Sequence, residues 1–412
     1  MKERAVRLLR WSEKYTKTDM VYLAKGGFWV SIKRILGIIV GISLSIALAN
    51  LLAPEEFGVY KFVLSLASII AAFSLTGMST AVMQAVAKGF EGAVSEGLRE
   101  NLRWSVGMIL LSLGGAGYYF LNENTVLGTS LLIIAATLPL IYSFDLYSPL
   151  LKGRKDFKRE TFYSLPRLLL PPLFLIGTVF YTQNPIVLIA VYFVSQALVV
   201  VISYFIARHK EHINTEKPDT LAFSRHLSVM NILEILASNI DKILLFHYLG
   251  AAQLAIYALA IAPIRELRKL KSFFLTPAFP KLSNRSLAEL KHSLPPRMLL
   301  LFLILLPFVG AYILAAPYIY QYIFPQYLDS IHFSQTLAVT LLFIPISILP
   351  QALTAHLKKR QLYILRTATP LARIVLITVL LPLYGIWGIV GAIFCVYVFN
   401  AVLTLMLFKR AV

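Results

Sequence analysis

The sequence has few charged residues and almost no cysteine. Charged residues make up 14% of the 412 positions and hydrophobic residues 58%, whereas soluble chains are usually about 45–50% apolar. The single cysteine, Cys395, has no second thiol for an internal disulfide and suggests no Cys-based metal site. The chain also lacks a phosphate-binding glycine loop, a metal-ligand spacing and a nucleophile constellation. We therefore expect no catalytic residue, no bound metal, no cofactor and no ATP-driven step.

The hydrophobic residues occur in long runs that predict membrane-spanning helices. About twelve spans of about 21 residues would occupy about 250 residues, which matches the hydrophobic share. The first run follows a basic segment but has no small-residue cleavage site, so we interpret it as a retained helix and not as a signal peptide. The predicted fold is an all-α polytopic membrane protein with twelve transmembrane helices.

The limits of the twelve spans follow from the ends of the apolar runs. Gly37 and Gly41 in the first span have GxxxG spacing, which predicts close helix packing. Prolines inside several spans predict kinks, and the charged stretches 88–103 and 152–160 are interpreted as loops. The predicted spans are 27–52, 58–86, 104–121, 126–151, 161–181, 185–207, 227–250, 251–275, 298–323, 333–357, 362–381 and 385–408. The prolines are Pro139, Pro171, Pro172, Pro263, Pro345 and Pro350.

The basic residues are unevenly distributed between the two sets of loops. The chain has 39 Lys and Arg against 20 Asp and Glu, a net charge of +19. If alternate loops are cytoplasmic from the N-terminus onward, the opposite loops, such as LNENT and LYGIW, contain no Lys or Arg. This positive-inside pattern predicts a multi-pass protein of the cell (inner or cytoplasmic) membrane with both termini cytoplasmic. It also accounts for the basic charge without a nucleic-acid partner.

An internal repeat divides the chain into two halves. LLAPEEFGVY at 51–60 resembles YLGAAQLAIY at 248–257, and LKGRKDF at 151–157 resembles LKKRQLY at 357–363. The second offset, 206 residues, also pairs Pro139 with Pro345 and Arg167 with Arg373. We predict an N-terminal segment at 1–26, six-helix bundles at 27–207 and 226–412, and a cytoplasmic linker at 208–225. In transporters, such a parallel repeat places the site between the halves, near the bilayer midplane.

The seventh span, 227–250, carries an unusual row of polar residues. Asn231, Glu234, Ser238 and Asp241 follow an i, i+3, i+7, i+10 pattern and therefore share one helical face. A charge at the bilayer centre costs about 2.5–3.5 kcal/mol, so this face must contact protein or a watery cavity. It is either a polar seam between helices or the wall of a pathway, and we favour the pathway. Glu234 and Asp241, with Asn231, are predicted ion-coupling residues that take up H⁺ or hold Na⁺.

Cations inside the spans are the candidate ligands for an anionic substrate. The guanidinium fork of arginine matches two phosphate oxygens at once. The alternatives are pairing with Asp145, Glu234, Asp241 or Glu266, or snorkelling to an interface. Snorkelling suits Lys33, Arg34 and Lys61, whereas for Arg167 and Arg373 we favour a place on a cavity wall. The predicted substrate-binding set is Arg34, Arg167, Lys242, Arg265 and Arg373.

Several segments in order along the chain resemble one transporter family. They are KGGFW, LLAPEEFGVYKF, LTGMSTAVMQAVAK, NIDKILLFHYLGAAQLAIYALA and PKLS. This arrangement is similar to the oligosaccharide flippases of polysaccharide biosynthesis, in the multidrug/oligosaccharidyl-lipid/polysaccharide exporter superfamily. The peptidoglycan lipid flippases look similar but usually have two more helices, for which this chain has no room.

The resemblance implies both a fold and a function. The fold would be two pseudo-symmetric six-helix bundles around a cationic central cavity. The function would be to carry polyprenyl-pyrophosphate-linked oligosaccharides from the cytoplasmic to the outer leaflet by alternating access, coupled to H⁺ or Na⁺. We expect a monomer that contacts membrane lipids and works with a polysaccharide polymerase and other assembly proteins.

Three other functions stay open at this stage. A membrane glycosyltransferase or polymerase acting on the same lipid-linked sugars would need a sizeable outer loop, and the longest predicted one has about ten residues. A small-molecule antiporter that exports cationic drugs would favour a net acidic cavity, whereas cations outnumber acids in these spans. A non-transporting scaffold or a scramblase-like channel is the third possibility.

Overall fold

The computed structural model describes residues 20–208, 221–271, 282–283 and 285–411. Within these ranges the chain is helical and contains no β-strand. Most of the predicted N-terminal segment at 1–26 and of the predicted linker at 208–225 lies outside the described residues, as do Pro280 and Lys281 of the PKLS segment.

The helices of the first half begin and end close to the predicted apolar runs. They are α1 (Met20–Leu51), α2 (Pro54–Ala71), α3 (Met78–Ala87), α4 (Gly92–Leu121), α5 (Thr125–Phe144), α6 (Tyr147–Gly153), α7 (Phe157–Val179) and α8 (Pro185–Arg208). The predicted second span is divided between α2 and α3, and the fourth between α5 and α6.

The described part of the second half has fewer helices, and three of them are longer than any helix of the first half. They are α9 (Leu221–Lys269), α10 (Leu287–Ile323), α11 (Ser330–Val339), α12 (Ile348–Ala355) and α13 (Lys359–Ala411). Short 3₁₀ helices cover Pro325–Tyr327 and Thr340–Ser347. Pro345 lies in the second of these, so the tenth predicted span changes helix type close to its predicted proline kink.

Nine helical segments of the described ranges are long and apolar enough to cross a membrane. Two of them, Asn231–Lys269 and Lys359–Ala411, each cover two predicted spans. Gly250, at φ 86°, and Gly385, at φ 57°, interrupt the helical backbone in these two segments. Because glycine adopts positive φ without a steric cost, the predicted loops LGAAQ and LYGIW become sharp bends between helices.

The charged stretches continue the helices further than predicted. The expected loop at 88–103 is wrong from Gly92 onward, because α4 begins there. Glu100 is buried and pairs with Arg103 at 2.5 Å, an i, i+3 contact that suits a helix. The prediction of a loop at 152–160 is likewise wrong at its end, where α7 begins at Phe157.

The described residues form two compact units. One lies within 1–44, 70–182 and 186–229, and the other within 45–69, 183–185 and 230–412. These limits differ from the predicted bundles because residues 45–69 belong to the second unit. There, the Phe62 ring stacks on Phe246 with centroids 3.8 Å apart. Gly58 approaches Ala251 so closely that a β-carbon at Gly58 would lie 1.9 Å from the Ala251 carbonyl oxygen.

Each unit has its own apolar core, formed by buried residues from several of its helices. In the first unit, buried residues of α3, α6 and α8 pack together, among them Met78, Leu150 and Tyr204. In the second unit, buried residues of α10, α12 and α13 form the corresponding cluster, which includes Leu294 and Leu353. Polar side chains that line a cavity beside such a core are held by well-packed helices.

Candidate functional site

The first unit contains a cavity of about 470 Å³ between α1, the ends of α5 and α6, α7 and α8. Among the described residues, Gly41 has nothing within 4 Å of where a β-carbon would be, and Gly37 has only the Leu168 side chain at 3.6 Å. The glycine pair therefore leaves room for the cavity, and the prediction that it allows close helix packing is wrong. The lining residues are Lys33, Gly37, Val40, Gly41, Leu44, Asp145, Tyr147, Ser148, Lys152, Ser164, Arg167, Leu168, Pro171, Pro172, Tyr192 and Gln196.

A buried carboxylate, Glu160, contacts several of the residues that line this cavity. Its side chain is 1% exposed, and its Oε1 accepts hydrogen bonds from Lys33 Nζ at 2.5 Å, Ser148 Oγ at 2.8 Å and Ser164 Oγ at 3.2 Å. Lys152 Nζ lies 3.6 Å from the same oxygen. Because a buried charge is tolerated only when it is paired and hydrogen-bonded, this network fixes Lys33, for which we had favoured snorkelling.

Arg167 lines the same cavity and forms an ion pair. Its NH1 lies 2.5 Å from Asp145 Oδ1, and the two side chains are 29% and 32% exposed. The wall position that we favoured and the ion pair that we kept as an alternative therefore occur together. Arg34, also predicted to bind substrate, is exposed on α1 and is not one of the residues that line the cavity.

The second unit contains a matching cavity of about 430 Å³ between α9, α12 and α13. Several of its lining residues stand at repeat positions equivalent to lining residues of the first cavity. Glu234, Ala237 and Ser238 lie 197 residues after Gly37, Val40 and Gly41. Gln351, Thr354 and Arg373 lie 206 residues after Asp145, Ser148 and Arg167. The other lining residues are Lys271, Pro350, Leu362, Leu365, Arg366, Thr369, Pro370, Ile393, Val396, Tyr397 and Asn400.

Arg373 and Asp241 form the ion pair of the second unit. Asp241 is 1% exposed and Arg373 25% exposed, with NH2 of Arg373 3.0 Å from Oδ2 of Asp241. The same oxygen accepts the Tyr257 hydroxyl at 2.6 Å, and Oδ1 accepts the Lys242 backbone N–H at 3.0 Å. Lys242 Nζ also lies 3.9 Å from Oδ1, so a proton or a metal ion at Asp241 would compete with two cations.

The other two predicted ion-coupling residues have different surroundings. Glu234 is exposed and lines the cavity, on the same helix as Asp241. Asn231 is partly buried and is not among the cavity-lining residues. The polar face of the seventh span is therefore divided. Glu234 and Ser238 border the cavity, while Asp241 is buried and pairs with Arg373, which also lines the cavity.

Three further cations of the second unit influence one another electrostatically. They are Lys61, Lys242 and Arg265, and we call them the cation cluster. Arg265 and Lys242 both lie close enough to Lys61 for their charges to oppose its own, and Lys242 Nζ also lies 3.9 Å from Asp241 Oδ1. Lys242 Nζ donates to Asn239 Oδ1 at 3.1 Å, and Lys61 Nζ lies 4.7 Å from the centre of the Phe57 ring. Arg265 is exposed on α9.

Sequence reasoning placed Lys242 and Arg265 in the binding set but assigned Lys61 to snorkelling. One signal could have identified Lys61. In the repeat that pairs Tyr60 with Tyr257, Lys61 corresponds to Ala258. The first half therefore carries a charge at a position where the second half is apolar.

The chain matches one protein family over most of its length. A family model for polysaccharide biosynthesis proteins matches residues 47–332. No curated protein sequence matches the chain significantly.

Solved structures similar to this chain include a lipid flippase and multidrug transporters. The lipid II flippase MurJ in an inward closed conformation has a TM-score of 0.67 at 14% identity, covering 93% of this chain and 87% of that one. An inward-facing multidrug resistance MATE family transporter of the MOP superfamily has a TM-score of 0.66 at 17% identity, covering 93% and 98%. A MOP superfamily transporter from Pyrococcus furiosus, described as having a binding pocket of reversed polarity, has a TM-score of 0.56 at 18% identity, covering 94% of both chains.

Proposed function

This chain belongs to the polysaccharide biosynthesis protein family, and on that premise we propose that it is a flippase for polyprenyl-pyrophosphate-linked oligosaccharides. It would move them from the cytoplasmic to the outer leaflet of the cell membrane. The family match and the shared transporter fold support a membrane flippase. The choice of substrate rests on the charges described above.

The observation that carries the proposal is the cation cluster. Lys242 shares the Asp241 carboxylate with Arg373, its Nζ lying 3.9 Å from Asp241 Oδ1. Among the described residues, no ion pair joins Lys61 or Arg265 to a carboxylate, and both Lys242 and Arg265 lie close enough to Lys61 for their charges to oppose its own. Holding like charges together on membrane helices is unfavourable unless an anion joins them. A diphosphate suits this place because it carries several negative charges and accepts hydrogen bonds from several cationic donors at once.

Transport would proceed by alternating access of two six-helix bundles, with twelve spans and both termini in the cytoplasm. Asp241 and Glu234 would provide the coupling to H⁺ or Na⁺. A proton or sodium ion on Asp241 would weaken its hold on Arg373, and the freed guanidinium could then bind a substrate phosphate. The protein would act as a monomer beside a polysaccharide polymerase.

The direct test is flipping in proteoliposomes that contain a fluorescent polyprenyl-pyrophosphate-linked oligosaccharide. Externally added glycosidase reports the fraction of substrate on the outer leaflet with time. We expect Lys61→Gln and Arg265→Gln each to slow flipping about tenfold or more, because each removes a charge-assisted contact to the diphosphate. The control is Lys409→Gln, an exposed lysine near the end of α13, which should flip at the wild-type rate.

All variants must retain the wild-type thermal transition, so that lost transport is not lost folding. Wild-type rates in both cluster variants would contradict the assignment.

A second candidate, a small-molecule antiporter, is favoured by the fold shared with multidrug transporters. Efflux of a cationic dye, without flipping of the lipid-linked sugar, would support that candidate instead. The cation cluster argues against it, because a cationic substrate would be repelled there.

A further inference from the structure

The two repeat-related cavities differ in how their cations are paired. In the first cavity, Lys33 and Lys152 lie within 4 Å of Glu160, and Arg167 lies within 4 Å of Asp145. Each of these three cations therefore lies beside a carboxylate of its own unit, with Lys33 and Lys152 sharing Glu160. An additional anion in the first cavity would have to compete with these carboxylates for each of the three cations.

In the second half, the repeat position equivalent to Glu160 carries a positive charge instead of a negative one. Arg366 lies 206 residues after Glu160 and so occupies the corresponding place in the second half. Arg366 and Lys271 both line the cavity. Within the part of the chain that the structure describes, neither forms an ion pair. Glu234, which also lines the cavity, acts on Lys271 only from beyond ion-pair distance.

Arg373 lines the same cavity and uses only part of its guanidinium in the ion pair with Asp241. Its Nε is buried and has no hydrogen-bond partner among the described residues, whereas the side chain as a whole is 25% exposed. A guanidinium has five N–H donors in a fixed planar arrangement, so Arg373 can keep its ion pair and still donate to an anion in the cavity.

The remaining polar wall suits a ligand with hydroxyl groups. Gln351, Thr369 and Asn400 are uncharged donors and acceptors on the cavity wall, and Asn400 Nδ2 donates to Thr369 Oγ1 at 3.1 Å. The cavity volume, about 430 Å³, is within the usual range of about 300–1,000 Å³ for small-molecule sites. Arg366 and Lys271 lie toward the helix ends that the charge distribution predicts to be cytoplasmic.

We propose that the second-half cavity is a binding site for a sugar phosphate. Arg366 and Lys271 would bind the phosphate, with help from guanidinium N–H groups of Arg373 that its ion pair with Asp241 does not use. Gln351, Thr369 and Asn400 would hydrogen-bond the sugar hydroxyls. The choice of sugar phosphate rests on the proposed function, because a pyrophosphate-linked oligosaccharide presents this chemistry next to its lipid. The cavity would thus be a second head-group site, separate from the cation cluster.

The experiment measures binding to the full-length protein in lipid nanodiscs by titration calorimetry, with glucose 1-phosphate as the probe. Inorganic phosphate and glucose are compared under the same conditions. We expect glucose 1-phosphate to bind more tightly than either, because only it uses both the cations and the neutral wall. Equal binding of glucose and glucose 1-phosphate would overturn the proposal.

The variants then test the individual cations. Arg366→Gln and Lys271→Gln should each weaken binding about tenfold, the usual effect of losing one charge-assisted hydrogen bond. Arg366→Lys keeps the charge and should therefore lose less binding affinity than Arg366→Gln. Lys359→Gln removes an exposed charge from the same helix, outside the cavity, and should bind like the wild type. Wild-type affinity in a folded Arg366→Gln protein would overturn the assignment.

Two comparisons separate this proposal from the flippase proposal. If flipping depends on Lys61 and Arg265 while sugar-phosphate binding ignores Arg366, only the cavity assignment fails. If glucose 1-phosphate binding depends on Arg366 but no lipid-linked sugar is flipped, only the flippase proposal fails. We also expect glucose 1-phosphate to slow flipping by competition. Unchanged flipping at saturating glucose 1-phosphate would overturn the assignment of this site to the lipid-linked head group.

Discussion

Replacing Asp241 with asparagine tests how the second unit holds its buried charge. In the wild type, Asp241 accepts hydrogen bonds from Arg373, Tyr257 and the Lys242 backbone, and its side chain is only 1% exposed. Asparagine has nearly the same shape but carries no charge. The substitution therefore leaves the Arg373 guanidinium without its counterion while changing the packing very little.

The size of the effect follows from burial. Removing one partner of a buried ion pair typically costs about 3–5 kcal/mol, because the other charge is left uncompensated. Arg373 is 25% exposed and keeps some contact with water, so we expect the lower end, about 3 kcal/mol. Arg167 and Asp145, the pair in the first unit, are each about a third exposed. There, Asp145→Asn should cost about 1 kcal/mol or less, as for pairs near the surface.

The assay is thermal unfolding in detergent, followed by intrinsic fluorescence, with Asp145→Asn as the matched control. Asp241→Asn should lower the transition temperature clearly more than Asp145→Asn. Adding Arg373→Gln to Asp241→Asn should recover part of the loss, because it removes the unpaired charge. Equal losses for the two single variants, or a double variant that loses the sum of its two single changes, would refute the reasoning.

Two further predictions concern packing and the buried carboxylate. Gly58→Ala should destabilise the protein by about 2 kcal/mol or more, because the new β-carbon would meet the Ala251 carbonyl oxygen. Gly107→Ala, which has open space, should be close to neutral in the same thermal assay, and equal effects would contradict the contact. Glu160→Gln should cost about 2 kcal/mol by leaving Lys33 without its counterion. Adding Lys33→Gln should restore part of that stability, and no recovery in thermal unfolding would argue against the network.

The sequence predicted the helical architecture well because its signals are local. Apolar runs of span length, interrupted by short polar stretches, identify membrane helices without any knowledge of tertiary contacts. The repeat was also visible, since it pairs Arg167 with Arg373, and the structure places both residues on cavity walls. The helix limits were harder to predict. The stretch from Gly92 to Arg103 is charged, yet it continues α4 as a helix with a buried Glu100.

The pairing of charges could not be predicted, because it depends on contacts between distant segments. Glu160 ends the charged stretch KGRKDFKRE, which is typical of a solvated loop, but it contacts Lys33 from 127 positions earlier. Lys61 follows an outer loop closely and therefore looked interfacial. Arg366 has the opposite charge to its repeat partner Glu160, but its place on a cavity wall depends on how distant helices pack.

The central claim is that cations on membrane helices recognise the diphosphate of a lipid-linked sugar. The most direct measurement compares the flipping rates of two lipids in the same proteoliposomes. One is the polyprenyl-pyrophosphate-linked oligosaccharide, and the other carries the same oligosaccharide on the same polyprenol without phosphate. The account predicts fast flipping of the first and a rate near that of protein-free liposomes for the second. Equal protein-dependent rates for the two lipids would contradict it.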